Sequence, residues 1–175
     1  MNKSYKEYLK DINTFVFDVD GVFTDGSLLI TTQGEMLRKM SVKDGYALKT
    51  ALQKKYNVCI ITGGTNEGVK NRLEGLGVTA INMGAHHKIE PLKEYMDANA
   101  IAAKNVLYMG DDLPDIPPMK QVALPCCPQD AVPEVKAVSK YVSHINGGSG
   151  CVRDVIEQVL KVRGDWYDNF SAKND

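Results

Sequence analysis

Two aspartates lie at the exit of a short apolar run near the start of the chain. The run reads TFVFDVDGVFTD, and Asp18 and Asp20 stand where it meets Gly21. A continuous apolar run rich in β-branched and aromatic residues is typical of a strand buried on both faces of a parallel sheet. Because aspartate is depleted in strands and costly to bury, the pair indicates a functional site. A hard divalent cation could bind there, with one carboxylate left to attack a substrate.

A second group of carboxylates follows another predicted strand, in the sequence GDDLPD. Its members are Asp111, Asp112 and Asp115. Taken alone they suit a solvated turn, since aspartate is a common turn residue. Together with Asp18 and Asp20 at another strand end, they indicate one crevice at the edge where open α/β sheets bind ligands. Like charges gathered there repel, and a bound Mg²⁺ relieves that repulsion.

Two further segments carry groups that suit phosphate. Thr62, Gly63 and Gly64 follow a predicted strand and lead towards a helix. A hydroxyl and free backbone N–H groups near a helix start bind phosphate oxygens well. Lys88 precedes another predicted helix, where it either lies beside the same crevice or is a solvated surface charge.

Strand and helix patterns alternate along the chain. We predict buried strands at about 14–19, 57–61, 78–83, 105–109, 122–124 and 141–142, and helices at about 46–56, 66–76, 89–98 and 132–137, with a last helix after the glycines at 147–150. The segment 27–40 carries a hairpin signal around Gln33 and Gly34. The alternation predicts right-handed βαβ units, and so an α/β fold: a Rossmann-like three-layer sandwich with a central parallel sheet and a small β-hairpin insertion.

Length and composition favour one soluble domain. The 175 residues read as a single domain spanning 1–175, with a core at about 12–163 and a polar tail at 164–175 that is either frayed or ordered in a subunit contact. A net charge of −1 gives no case for nucleic acid or an anionic membrane. There is no apolar run of the roughly 18–20 residues that a membrane span needs. The first dozen residues lack a secretory core, and the four cysteines form no CxxC pair, so we predict reduced thiols and a cytoplasmic location.

The order of these groups resembles the four motifs of the haloacid dehalogenase superfamily phosphatases. Any one motif is weak, but four in order over about residues 12–163 are strong. The resemblance implies that Asp18 is the nucleophile, which forms an aspartyl-phosphate, and that Asp20 is the general acid/base. Such proton transfer contributes typically ~10²–10⁴-fold. Thr62 and Lys88 would hold the phosphoryl group and offset its charge.

The same resemblance implies a magnesium site. Mg²⁺ would be held by Asp18, the backbone carbonyl of Asp20 and Asp111, with Asp112 or Asp115 in support. Dehalogenases of the superfamily lack the acid/base aspartate, so Asp20 indicates phosphate chemistry.

The intervals between the motifs leave no room for a cap domain. A hairpin and one helix fill the interval from Asp20 to Thr62, and a helix and a strand fill that from Thr62 to Lys88. A capless site is open to water and offers few groups for choosing a substrate. It should therefore take large substrates or be completed by a neighbouring subunit.

Within the superfamily, the chain is similar to the capless tetrameric phosphatases of 3-deoxy-D-manno-octulosonate (KDO) 8-phosphate. The matching segments are 22–26, 34–35, 41–49, 110–115 and 147–154. This implies a homotetramer, with sites completed by neighbouring subunits, that releases KDO for lipopolysaccharide biosynthesis. Cationic side chains suit a sugar acid bearing a carboxylate and a phosphate. The implied substrate-contacting residues are Asp20, Ser41, Val42, Lys43, Asp44, Gly45, Lys49, Gly63, Gly64, Arg72 and Lys88.

Two positions depart from that pattern and leave alternatives open. Many family members carry Arg where this chain has Gly64. Lys49 stands where Arg is common, and the two differ because Arg can form two parallel hydrogen bonds to one carboxylate whereas Lys cannot. A related group acts on nine-carbon sialic-acid-type 9-phosphates and tends to place Glu at position 64, which Gly64 does not match. A non-catalytic phosphate-binding or scaffold domain is a further alternative, disfavoured by the intact motif residues. A dinucleotide-binding domain is excluded, because no GxGxxG follows the first strand.

Overall fold

The strand that carries Asp18 lies in the middle of a six-stranded parallel sheet. The computed structural model describes residues 4–166. Its strands are β1 Thr14–Phe17, β2 Leu29–Ile30, β3 Met36–Leu37, β4 Asn57–Ile61, β5 Ala80–Asn82, β6 Val106–Met109, β7 Leu124–Cys127 and β8 Tyr141–Val142. The sheet order is β5-β4-β1-β6-β7-β8, with every pair parallel. β2 and β3 form the predicted antiparallel hairpin, separate from this sheet.

Helices cover both faces of the sheet. They are α1 Lys6–Leu9, α2 Val42–Gln53, α3 Glu67–Gly75, α4 Ile89–Ala98, α5 Ile116–Met119, α6 Pro133–Val138 and α7 Cys151–Arg163, with short 3₁₀ turns at Ala103–Asn105 and Leu113–Asp115. Within residues 4–166, no helix has both the length and the apolar character needed to cross a membrane.

The side chains of β1 alternate between two separate apolar cores. Phe15 and Phe17 pack into a core that includes Val155 of α7, whereas Val16 packs into a second core that includes Leu92 of α4. All four residues of β1 are buried. A strand covered on both faces reads as a continuous apolar run, which is why the sequence signal was so clear. The predicted three-layer α/β sandwich is confirmed.

The strand around Pro125 extends well beyond its predicted bounds. We expected a strand at 122–124 that stopped at Pro125, but β7 runs from Leu124 to Cys127 and pairs Pro125 with Tyr108. The carbonyl of Pro125 accepts the N–H of Lys140 at 2.9 Å, and pairing with β8 begins only at Cys126. The missing N–H of Pro125 therefore falls on the side of β8, just before pairing with that strand begins.

A glycine-rich turn joins the end of the chain to the loop after β1. The amide of Gly148 donates to the carbonyl of Val22 at 2.9 Å. A Cβ at Gly147 would overlap the carbonyl of Gly21, so only glycine permits this approach of two backbones. The turn fixes the start of α7 against the loop that follows Asp18 and Asp20.

Candidate active site

The predicted catalytic residues come together at the carboxyl ends of the central strands. Asp18 follows β1, Thr62 follows β4, and Asp111 lies two residues beyond β6. A pocket of about 410 Å³ opens at this edge, and its lining includes Asp18, Asp20, Thr62, Lys88, Asp111 and Asp115. The convergence expected from parallel strand ends is therefore present in the fold.

Lys88 connects the two groups of carboxylates. Its Nζ donates to Asp18 Oδ2 at 2.7 Å and to Asp115 Oδ1 at 2.8 Å, and its side chain is only 5% exposed. Burial disfavours the ammonium, but the charges of Asp115 and Asp18 outweigh that effect and raise the pKa of Lys88. Burial and the charge of Asp115 raise the pKa of Asp18, against the opposing effect of Lys88. Lys88 is therefore a protonated lysine that holds Asp18 in place, not a solvated surface charge.

Asp115 is the residue that positions Lys88. It is fully buried. Its Oδ1 also accepts the hydroxyl of Tyr108 at 2.8 Å, and its Oδ2 accepts the backbone N–H of Asp111 at 3.1 Å and of Asp112 at 3.4 Å. Both oxygens are thus occupied by donors within the protein. The part played by Tyr108 was not predicted, because nothing marks one tyrosine in an apolar strand as facing the site.

Asp111 is the side chain that best fits a metal ligand. Oxygen atoms of Asp18, Asp111 and Asp115 lie within 4.8 Å of one another. Among the described residues, Asp111 Oδ1 is buried and has no hydrogen-bond partner. Burial, followed by the charges of Asp18 and Asp115, raises the pKa of Asp111 to about 8. An unpartnered carboxylate oxygen among like charges is what a hard divalent cation satisfies, so the residues present fit Mg²⁺.

The fold leaves space for Asp111 by means of a glycine. Gly21 has φ 84°, and a Cβ built there would overlap the carboxylate of Asp111. Asp112, which we predicted to support the metal, lies outside the close oxygen group. Its Oδ1 instead accepts the N–H of Leu113 at 2.8 Å, and it forms a capping box with Asp115. Asp115, the other support that we predicted, lies within the close oxygen group, and the metal role of Asp112 stays a prediction.

The carboxylate of Asp20 has a partner that the sequence did not reveal. Arg38, just beyond β3, donates from Nε to Asp20 Oδ1 at 2.7 Å and from Nη2 to Asp20 Oδ2 at 3.1 Å. Hydrogen bonding to Asp20 raises the pKa of Arg38, against the opposing effect of burial. Near this pair, Thr62 is buried and its Oγ1 accepts the N–H of Gly64 at 3.2 Å, which closes the turn before α3.

The predicted substrate contacts on α2 and α3 do not line this pocket. Ser41 caps α2 by accepting the N–H of Lys43 at 3.2 Å. Val42 is 64% exposed. A Cβ at Gly45 would lie 2.9 Å from Arg72 Nη2, so the arginine of α3 packs over the start of α2. The substrate roles of Ser41, Val42, Lys43, Gly45, Lys49 and Arg72 stay predictions.

Asp44 contacts the start of α7, and its predicted role in substrate binding stays a prediction. It is fully buried, and its Oδ1 accepts the backbone N–H of Arg153 at 2.7 Å. α7 begins after Gly150, which has no side chain to cap the helix. The carboxylate of Asp44 supplies that cap from α2, and this placement supports a structural role for its side chain.

Comparisons with known proteins agree with this geometry. Residues 77–156 match the haloacid dehalogenase-like hydrolase family. The chain is 37% identical over 155 residues to the 3-deoxy-D-manno-octulosonate 8-phosphate phosphatase KdsC of Salmonella typhi, which covers 89% of this chain and 82% of that protein.

Two solved structures are similar to the whole fold. The 3-deoxy-D-manno-octulosonate 8-phosphate phosphatase of Yersinia pestis superposes with a TM-score of 0.92 at 32% identity, covering 96% of this chain and 91% of that one. The phosphatase of Moraxella catarrhalis, solved with magnesium, phosphate and KDO, gives a TM-score of 0.89 at 30% identity and covers 93% of each chain. The chain therefore belongs to the 3-deoxy-D-manno-octulosonate 8-phosphate phosphatases of the haloacid dehalogenase-like hydrolases.

Proposed function

We propose that this protein is a Mg²⁺-dependent phosphomonoester hydrolase that removes phosphate from KDO 8-phosphate to give KDO. The observation that carries the proposal is the unpartnered Oδ1 of Asp111 beside the Asp18 carboxylate that Lys88 holds. The names of the relatives and the KDO in the Moraxella structure support the choice of substrate.

The reaction needs one nucleophile and one proton carrier. The carboxylate of Asp18 attacks phosphorus and forms an aspartyl-phosphate, while the sugar oxygen leaves with a proton from Asp20. Asp20 then takes a proton from the water that attacks phosphorus, and phosphate is released. The Thr62 hydroxyl and the Lys88 ammonium hold the phosphoryl oxygens. Mg²⁺ held by Asp18, Asp111 and the carbonyl of Asp20 would offset the negative charge on those oxygens.

The exposed hairpin supports the proposal of a homotetramer. Leu29 is 68% exposed and Ile30 is 58% exposed, and their neighbours Leu28, Met36 and Leu37 are exposed as well. Contiguous apolar residues on a surface mark interaction sites. A neighbouring subunit on this hairpin would complete a pocket that has no cap domain of its own.

The start of the tail packs against its own chain. The Trp166 ring packs edge-on against Tyr46 at 6.2 Å, with the Arg153 guanidinium 5.4 Å from its centre. The rest of the predicted tail, 167–175, lies outside the described residues.

We also propose a cytoplasmic location, since all four cysteines are buried and free, as suits a reducing compartment.

A panel of sugar phosphates compared by kcat/KM tests the proposed substrate. We expect KDO 8-phosphate to be preferred at least about tenfold over neutral sugar phosphates, because an extra charge-assisted hydrogen bond is worth 1.5–3 kcal/mol. Preference for a nine-carbon 9-phosphate would overturn the proposed substrate.

The variant Asp18→Asn tests the proposed nucleophile. Activity that survives this substitution would overturn the role assigned to Asp18. Asp97→Asn, on the exposed side of α4, is the matched control and should retain full activity.

A further inference from the structure

Arg38 binds both oxygens of the proposed acid/base carboxylate. Its Nε lies 2.7 Å from Asp20 Oδ1 and its Nη2 lies 3.1 Å from Asp20 Oδ2, a fork-like pair of hydrogen bonds. Its Nη1 donates to the carbonyl of Met36 at 3.0 Å. Although the hairpin around it is exposed, the Arg38 side chain is only 8% exposed. The guanidinium is therefore a buried group held against Asp20, which lines the pocket.

This pairing restrains the orientation of the Asp20 carboxylate. An acid/base carboxylate must place an oxygen within hydrogen-bond reach of the departing sugar oxygen. Here both oxygens face the guanidinium, and the hydroxyl of Thr24 lies 3.5 Å from Oδ1 as well. The two bonds hold the carboxylate in the plane of the guanidinium, so Asp20 is free to turn towards the sugar oxygen when Arg38 releases one of its two oxygens.

The surroundings of Arg38 allow a substrate to reach it. A Cβ at Gly64 would lie 3.3 Å from Asp20 Oδ2 and 3.7 Å from Arg38 Nη2, so the bare glycine leaves that side of the pair uncovered. Arg38 also lines a groove of about 470 Å³, together with Asn66 and Arg72. Two guanidinium groups therefore line a groove next to the phosphate-binding turn, and such groups suit carboxylates.

We propose that Arg38 is a positioning residue that selects sugar-acid substrates by exchanging carboxylates. The substrate's carboxylate takes hydrogen bonds of Arg38 in place of Asp20, and Asp20 then turns towards the ester oxygen. The exchange replaces one guanidinium–carboxylate pair by another, so it costs little. A phosphate ester without a carboxylate leaves Asp20 bound to Arg38. This inference rests on the proposed phosphatase function and concerns how that site chooses its substrate.

Arg38→Met tests the exchange on three substrates measured side by side. For KDO 8-phosphate, kcat/KM should fall roughly 10- to 100-fold, because the variant loses a charge-assisted hydrogen bond to the substrate's carboxylate. For ribose 5-phosphate, which has no carboxylate, kcat/KM should rise severalfold because Asp20 is no longer bound by Arg38. For p-nitrophenyl phosphate, whose leaving group departs without a proton, it should stay within about twofold. The Asp20 side chain is 36% exposed, so water can replace the guanidinium and the variant should fold.

Two variants complete the test. Lys39→Met removes a cation from the next position on the hairpin, where the side chain is 83% exposed, and should change none of the three rates. Arg38→Lys keeps the charge without the fork and should restore only part of the KDO 8-phosphate activity. An equal loss on all three substrates, or no loss on KDO 8-phosphate, would overturn the exchange. If the wild type prefers another sugar-acid phosphate, the proposed substrate is wrong. The ratio of kcat/KM between wild type and Arg38→Met, measured on that sugar-acid phosphate, then decides the role of Arg38.

Discussion

The carboxylate of Asp44 on α2 caps the first turn of α7 through the backbone N–H of Arg153, at 2.7 Å. Among the described residues, its second oxygen, Oδ2, is buried without a hydrogen-bond partner. Burial, against the opposing hydrogen bonds from the N–H groups of Arg153 and Gly150, raises the pKa of Asp44 to about 6 from an ordinary 3.8. The cap therefore joins the helix that carries the predicted substrate contacts to the helix that precedes the tail.

The raised pKa of Asp44 predicts a loss of stability with rising pH. Between pH 4 and 6 the folded state holds a proton on Asp44 that the unfolded state has released, so the free energy of unfolding falls across that window and then levels off. Asp44→Asn keeps the accepting oxygen but cannot ionise. We expect the variant to gain up to roughly 3 kcal/mol on the wild type between pH 4 and 7, measured by urea unfolding.

Asp44→Ala is the control for the cap itself. It removes the accepting oxygen and should be less stable than Asp44→Asn by about 1 kcal/mol at both ends of the pH range. Parallel pH curves for the wild type and Asp44→Asn would contradict the assignment.

Lys88→Met should lower stability as well as activity. It leaves the carboxylates of Asp18 and Asp115 in a buried site without their shared cation, and breaking a buried pair typically costs about 3–5 kcal/mol. Thermal unfolding without metal should show a lower Tm, and added Mg²⁺ should recover part of the difference. Lys93→Met, at an exposed position on α4, should melt like the wild type. A Tm of Lys88→Met equal to that of the wild type would show that the pairing does not hold the site.

Gly110→Ala should impair catalysis without touching a reacting group. A Cβ at Gly110 would overlap the carboxyl of Asp115, which must then move and take Lys88 with it. A displacement of about 1 Å can cost about 100-fold, so we expect kcat to fall by about that factor. Gly75→Ala is the control, because its Cβ would meet no atom within 4 Å. Normal kcat in Gly110→Ala would mean that Asp115 does not fix the lysine.

Ile30→Asp should dissociate the proposed tetramer. The side chain is 58% exposed on the hairpin, and a charge there would have to be buried in a subunit contact. Size-exclusion chromatography with light scattering should give four chains for the wild type and fewer for the variant. Gln33→Glu, at the hairpin turn, should remain tetrameric. A wild type that is an active monomer would contradict the assembly.

The sequence was most informative where local pattern and sheet geometry agree. Asp18, Thr62 and Asp111 follow buried strands, and parallel strands end at one edge, so their convergence could be predicted without coordinates. The bounds of β7 could not, because the tolerance of Pro125 depends on where its neighbour β8 begins.

Side-chain pairings between distant segments were beyond sequence reasoning. Arg38 and Asp20 are 18 positions apart, and Asp44 and Arg153 are 109 positions apart, with no periodicity that relates them. The family resemblance implied a substrate contact at Asp44, but no local pattern showed that its carboxylate also caps another helix. Such contacts depend on how the hairpin and the helices pack, which single-residue patterns do not encode.

The central claim is that Asp18 and Asp111 together hold one magnesium ion at the catalytic carboxylate. Calorimetric titration of Mg²⁺ into metal-free protein tests it most directly, with wild type, Asp111→Asn and the exposed control Asp97→Asn compared. We predict one ion per chain for the wild type and for Asp97→Asn, and no measurable binding for Asp111→Asn. Equal stoichiometry and affinity in Asp111→Asn would contradict the account.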